Sequence, residues 1–171
     1  MTLYREAPEV KQVADYLIPK YHPHLELRAD EIRYVFRDDF AKSNGKIVLG
    51  KARKIGGLNC YLALAEHGSS NTFEDHEEVG TDMFVIEIAE PAWENLTADG
   101  RTALVDHELC HLDIDYDEMT GEVKRRIKAH SVEEFTDIVH RHGLWRPDLE
   151  KFAKHIPQPI LPGLEANEEK E

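Results

Sequence analysis

The sequence predicts an α+β fold in which strands precede a helix carrying H-E-x-x-H, with further helices towards both ends. Three observations carry this. Apolar residues recur with period two over 31–37, 58–65 and 83–89, whereas they recur at helical spacing over 8–20 and around the motif. Capping signals at Thr97 and Ser131 open two later helices. No long linker interrupts the 171 residues, a length that suits one domain with its own core. That domain is expected over 1–155, followed by a Pro-rich and then acidic tail, 156–171, with the composition of a disordered segment.

The elements follow in order. Pro8 suits the first turn of a helix that runs to Lys20 and buries Val10, Val13, Ala14, Leu17 and Ile18, with Pro19 marking its end. His22 and His24 then read as loop or core-edge histidines. Glu31 to Arg37 is a strand with Ile32, Tyr34 and Phe36 on its inner side. Ser43-Asn44-Gly45 supplies a turn into a second strand, Lys46 to Ala52, with Ile47 and Leu49 inward. After Gly56-Gly57, Leu58 to Ala65 alternates as a third strand.

The polar, acidic stretch from Glu66 to Asp82 reads as a long solvated loop. Met83 to Ala89 alternates most strongly of all, and Pro91 ends it. Thr97 caps the motif helix, whose buried side is expected from Ala103, Leu104, Leu109 and Leu112. Asp113-Ile-Asp-Tyr-Asp-Glu is too acidic to extend that helix beyond a turn past His111, because it would sit at the negative end of the helix dipole. Lys124-Arg125-Arg126 forms a short return, either a strand or irregular. Ser131-Val-Glu-Glu resembles a capping box for a helix from Val132 to His142, ended by Gly143, with Leu144, Trp145 and Phe152 as anchors beyond it.

His107, Glu108 and His111 carry the chemistry. Residues four apart on a helix lie about 40° apart around the axis, so both imidazoles leave one face and can share a metal ion. Glu108, offset by about 60° from His111, stands at the edge of that face, where its carboxylate can reach a water beside the metal. Two neutral nitrogen ligands, an open coordination position and an adjacent base are what metal-assisted hydrolysis requires. Zn2+, one ion per chain, is the expected cofactor.

A catalytic zinc normally has three protein ligands, so one more is needed. His130 is the first choice, nineteen positions beyond His111 and just before the Ser131 cap. Glu133 and Glu134 are alternatives, and His140 and His142 stand behind them. Tyr116, Arg141 and His142 are candidates to stabilise charge on a substrate carbonyl. The two cysteines, Cys60 and Cys110, read as reduced core residues, and Cys110 points about 100° away from His111.

A net charge of −13 argues against direct nucleic-acid binding, which relies on Lys and Arg neutralising phosphates. The start lacks a basic segment followed by an apolar run, and no apolar stretch is long enough for a membrane span. A cytoplasmic location is expected. The oligomeric state is not specified by these features.

Residues 17–25 (Leu-Ile-Pro-Lys-Tyr-His-Pro-His-Leu), 48–54, 101–111 (Arg-Thr-Ala-Leu-Val-Asp-His-Glu-Leu-Cys-His), 129–135 and 143–145 resemble the phage metallopeptidase family. The resemblance spans about Val10 to Trp145, and the motif helix is its most specific block. It implies a zincin-like fold: a twisted mixed β-sheet packed on the H-E-x-x-H metal helix, with a cleft along an edge strand. It also implies zinc-dependent hydrolysis of a protein or peptide substrate, with Glu108 as general base. By the same analogy the strand 58–65 would be the edge that pairs with substrate, which nominates Asn59 and Tyr61 for substrate binding.

More distantly the layout resembles SprT-like zincins, but the tail here is acidic and lacks Cys-x-x-Cys. The competing readings are a zinc-stabilised interaction protein without catalysis and a DNA-associated protease of SprT-like type.

Overall fold

The computed structural model describes residues 1–43, 45–60, 82–117, 119–120, 123–133 and 136–156. These divide between two units, Met1–Ala129 and His130–Glu171.

The first unit holds a four-stranded mixed sheet in the order β1-β2-β6-β5. Its strands are β1 (Tyr4–Glu6), β2 (Ile32–Arg37), β5 (Gly50–Gly56) and β6 (Asp82–Ala89). β2 and β6 run parallel, while β1 and β5 are antiparallel to their neighbours. Ile32, Tyr34 and Phe36 of β2 lie beside Phe84, Ile86 and Ile88 of β6 on one face, as period two requires. Against them pack α1 (Pro8–Tyr21), through Val10, Ala14, Leu17 and Ile18, and α3 (Ala98–Cys110), through Val105 and Leu109. Each such fully buried aliphatic side chain contributes about 1.5–3 kcal/mol. Pro19 lies inside α1 rather than ending it.

The other face of β6 is also covered, since Met83 and Glu87 are buried. Glu87 is paired with Arg37 at 2.9 Å and Arg53 at 3.1 Å, so its charge is matched from both neighbouring strands. Pro91 falls in the first turn of the short helix α2 (Glu90–Asn95), which directly follows β6.

Two expected strands are corrected. The chain between 46 and 52 is not one strand. β3 (Ala41–Ser43) and β4 (Lys46–Val48) form a hairpin across Gly45, whose φ of 76° is the left-handed conformation such a turn needs. β5 begins afresh at Gly50, and Ile47 and Leu49 are exposed rather than inward. The core side of β5 is formed instead by Gly50 and Ala52, which oppose Ile88 and Ile86.

The second correction concerns 58–65. Gly57 has φ +55°, which breaks the extended chain, and residues 57–60 are helical. Leu58 is 70% exposed and only Cys60 is buried, so the alternation did not mark one strand face. Residues 61–65 and the acidic loop to residue 81 lie outside the described residues.

β7 (Leu112–Tyr116) starts as soon as α3 ends and pairs antiparallel with β8 (Val123–Ile127). Arg125 of β8 is buried and anchors this hairpin. Its guanidinium donates to Asp82 at 2.8 Å and to Glu31, while Lys54 reaches Asp82 at 3.0 Å. Cys110 is exposed, not a core residue; of the expected buried side of the motif helix, Leu109 and Leu112 are buried and Leu104 packs against the core, whereas Ala103 is exposed and Val105 is buried instead.

In the second unit, α4 (Thr136–His142) and α5 (Pro147–Lys154) are joined through Gly143. With φ +66°, Gly143 donates its N–H to Val139 O at 2.8 Å, closing α4 as the sequence suggested. The helix starts later than Val132: Ser131–Glu133 are not helical, and Arg146 Nη2 donates to the Glu133 carbonyl at 3.1 Å, a partner outside any helix. Among the described residues of this unit Leu149 is buried, whereas Leu144, Trp145 and Phe152 are exposed. The tail from 157 onward lies outside the described residues.

Candidate metal centre

Thr97 starts the helix on which the site depends. Its Oγ1 accepts the Gly100 N–H at 3.1 Å, satisfying one of the unpaired donors of the first turn. Arg101 on the next turn donates to the Trp93 carbonyl at 2.8 Å and so ties α3 to α2. Val105 and Leu109 turn inward, and this rotation fixes the rest: His107 is exposed, Glu108 is buried, and His111 is half-buried as the residue that closes α3.

His107 and His111 stand one turn apart with ring centroids 5.0 Å from each other. The backbone beyond β8 runs beside His111. Lys128 donates its N–H to the His111 carbonyl at 2.7 Å, and the His111 Nδ1 lies 2.6 Å from the Lys128 carbonyl. A carbonyl only accepts, so Nδ1 is the donor, and this backbone contact fixes the orientation of the ring.

His130 follows two residues after Lys128. His107 and His111 each offer a ring nitrogen to a metal ion, and His130, the expected third ligand, opens the second unit. Three imidazoles are a donor set known to suit zinc with a position left open. Of the alternatives, Glu133 has its carboxylate 3.9 Å from the His130 Nδ1, His140 and His142 lie on α4, and Glu134 is outside the described residues.

Glu108 is only 3% exposed. Its carboxylate lies over the start of β5, where a Cβ placed on Gly50 would come within 2.5 Å of Oε1, and it accepts the backbone N–H of Ala52. Burial pushes its pKa up to about 7, against the opposing pull of His111 and the Ala52 hydrogen bond. A carboxylate poised near neutrality is suited to take and return a proton.

Gly50 was not among the sequence candidates, although a glycine within a strand signals close approach by another group. Asn59 is exposed on the helical turn after β5, not on an edge strand, and Tyr61 is outside the described residues. Among the described residues β5 pairs only with β6 and lies at an edge of the sheet they form. Tyr116 is exposed at the end of β7, and Arg141 and His142 are exposed on α4.

Fold and site together define an α+β protein with a histidine cluster able to take a metal and a buried carboxylate beside one of its ligands. The family described as Putative phage metallopeptidase matches residues 2–156, and the chain belongs to that family. No curated protein and no solved structure matches it. Among the described residues, no helix is long and apolar enough to cross a membrane.

Proposed function

We propose that this chain is a zinc-dependent peptidase of zincin type, acting on a protein or peptide with Glu108 as general base. The reading is supported above all by the buried Glu108, with a pKa near neutrality, one turn from the His111 imidazole that the Lys128 carbonyl holds at 2.6 Å through Nδ1. His107, His111 and His130 would hold the ion. A zinc ion bound there supplies Lewis acidity, lowering the pKa of coordinated water towards about 7 and polarising a carbonyl.

The protein's own groups do the rest. Glu108 accepts the proton of the attacking water and returns it to the departing amine, so one carboxylate serves as base and then acid. Gly50, lacking a side chain, leaves the space in which that carboxylate moves. An extended substrate would pair with the outer edge of β5, and Asn59, just beyond that strand, would contact it with Tyr61. The reacting domain is taken as 1–155, and the setting as the cytoplasm.

The decisive experiment compares wild type with Glu108→Gln on an unstructured protein such as casein, with metal content measured on the same samples. Hydrolysis should fall by about 10²–10⁴ in Glu108→Gln while bound zinc is unchanged. Equal activity in the two proteins would overturn the role of Glu108. Zinc-loaded wild type without hydrolysis would favour the non-catalytic reading.

A further inference from the structure

Helix α3 carries a second pair of potential ligands one residue ahead of the first. Asp106 and Cys110 are four apart, as His107 and His111 are, so their side chains leave a neighbouring face about 100° around the axis. His22 meets that face from α1. Its backbone is locked where α1 ends, its N–H donating to Ile18 O and its carbonyl accepting from Leu25, both at 2.9 Å. The His22 side chain is 6% exposed, and its Nε2 lies 2.6 Å from Asp106 Oδ1. His24 backs it, with the two rings edge to face at 6.2 Å and the His24 Nε2 at 3.1 Å from Leu112 O.

We propose that His22, Asp106 and Cys110 form a second metal site, which takes a borderline-soft divalent cation such as zinc. Each residue offers one ligand atom, and the three lie within 4.8 Å of one another. Ligands about 2.0–2.3 Å from a tetrahedral zinc stand about 3.3–3.7 Å apart, so the His22–Asp106 contact, at 2.6 Å, opens by about 0.7 Å and the remaining gaps, none above 4.8 Å, close by at most about 1.5 Å. Asp106 is 42% exposed at its side chain and Cys110 is exposed, which leaves both free to make that adjustment and gives an ion a route in.

The donor chemistry points the same way. The Cys110 thiol and the Asp106 carboxylate lie within 4.8 Å of one another, where two negative charges would repel. A bound cation reverses this, because coordination removes the thiol proton and satisfies both anions. Imidazole, carboxylate and thiolate suit zinc better than magnesium or calcium, which prefer oxygen alone. The ion would fasten the end of α1 to α3. This site shares no ligand with His107, His111 and His130, and does not depend on peptidase activity.

Cobalt(II) distinguishes the two sites, since only the second contains sulfur. Titrating the reduced full chain with cobalt should produce a near-ultraviolet thiolate-to-cobalt charge-transfer band, retained in His107→Ala and in Cys60→Ser and lost in Cys110→Ser. Zinc content should fall from two ions per chain to one in Cys110→Ser, matching the two candidate groups. The exposure of Cys110 makes that substitution safe for folding, whereas His22→Ala would empty a buried position. No charge-transfer band at saturating cobalt, or one that survives in Cys110→Ser, would overturn the proposal.

Discussion

Glu108 and His111 lie one helical turn apart, and each is held by backbone groups in or just beyond a strand, yet their surroundings differ. Glu108 is buried over Gly50 and Ala52 of β5, whereas His111 is half-buried and takes its orientation from Lys128 just after β8. A base gains from a dry environment that raises its pKa, while a ligand needs a fixed tautomer and an open side towards the ion. On the proposed function the same short helix would serve both, because two different stretches of backbone flank its end.

The His111 side should be the easier to break. Arg125 anchors β8, and removing its side chain leaves Glu31 and Asp82 without the guanidinium that joins them. Arg125→Ala should cost about 3–5 kcal/mol of stability, read by urea unfolding. It should also weaken zinc binding by about 10–100-fold, because Lys128 loses its place beside His111. Unchanged zinc affinity in the folded variant would mean that the Lys128 carbonyl is held without β8.

The Glu108 side should respond to pH. In metal-free protein the Glu108 pKa rises from 4.5 to about 7, chiefly through burial. Below pH 4.5 the group is protonated in both the folded and unfolded chains, and its contribution is fully present. Between 4.5 and about 7 the unfolded chain ionises while the folded one does not, so stability falls as pH rises and levels off above the folded value. The loss is about 3 kcal/mol. Glu108→Gln cannot ionise, so in the absence of metal its stability relative to wild type should increase by that amount between pH 4 and pH 8. A constant difference across the range would show that Glu108 is solvated.

Legibility in the sequence follows the same division. β2, β6 and α3 were readable because Ile32, Tyr34, Phe36 and Phe84, Ile86, Ile88 alternate cleanly and Thr97 supplies a cap. β5 was not, because its inward residues include Gly50 and Ala52, which carry little hydrophobic signal, while apolar Ile47 and Leu49 face outward. The expected strand fails over its described residues, 58–60, because alternation alone cannot register the left-handed φ of Gly57. At the site, the motif named His107, Glu108 and His111 from spacing. The Lys128 carbonyl and the Ala52 N–H were invisible, since every residue carries such groups and only tertiary structure selects among them. His22 reads as a loop or core-edge histidine and is buried, but its partner Asp106, 84 residues away, is not legible in the sequence.

Gly50 offers the smallest and sharpest test of the contact on the Glu108 side. Alanine there would place its Cβ 2.5 Å from Oε1 and 2.9 Å from the carboxyl carbon of Glu108, closer than atoms can stand, so the carboxylate must move. Overpacking of this kind costs about 1–3 kcal/mol. The clash is with one side chain, so the cost should largely vanish when Glu108 is also replaced by alanine. A thermodynamic cycle over wild type, Gly50→Ala, Glu108→Ala and the double variant should therefore give a coupling of about 1–2 kcal/mol. Additive effects would instead place the cost in the β5 backbone, and the close fit of Glu108 on Gly50 would then not be what requires a glycine in the strand.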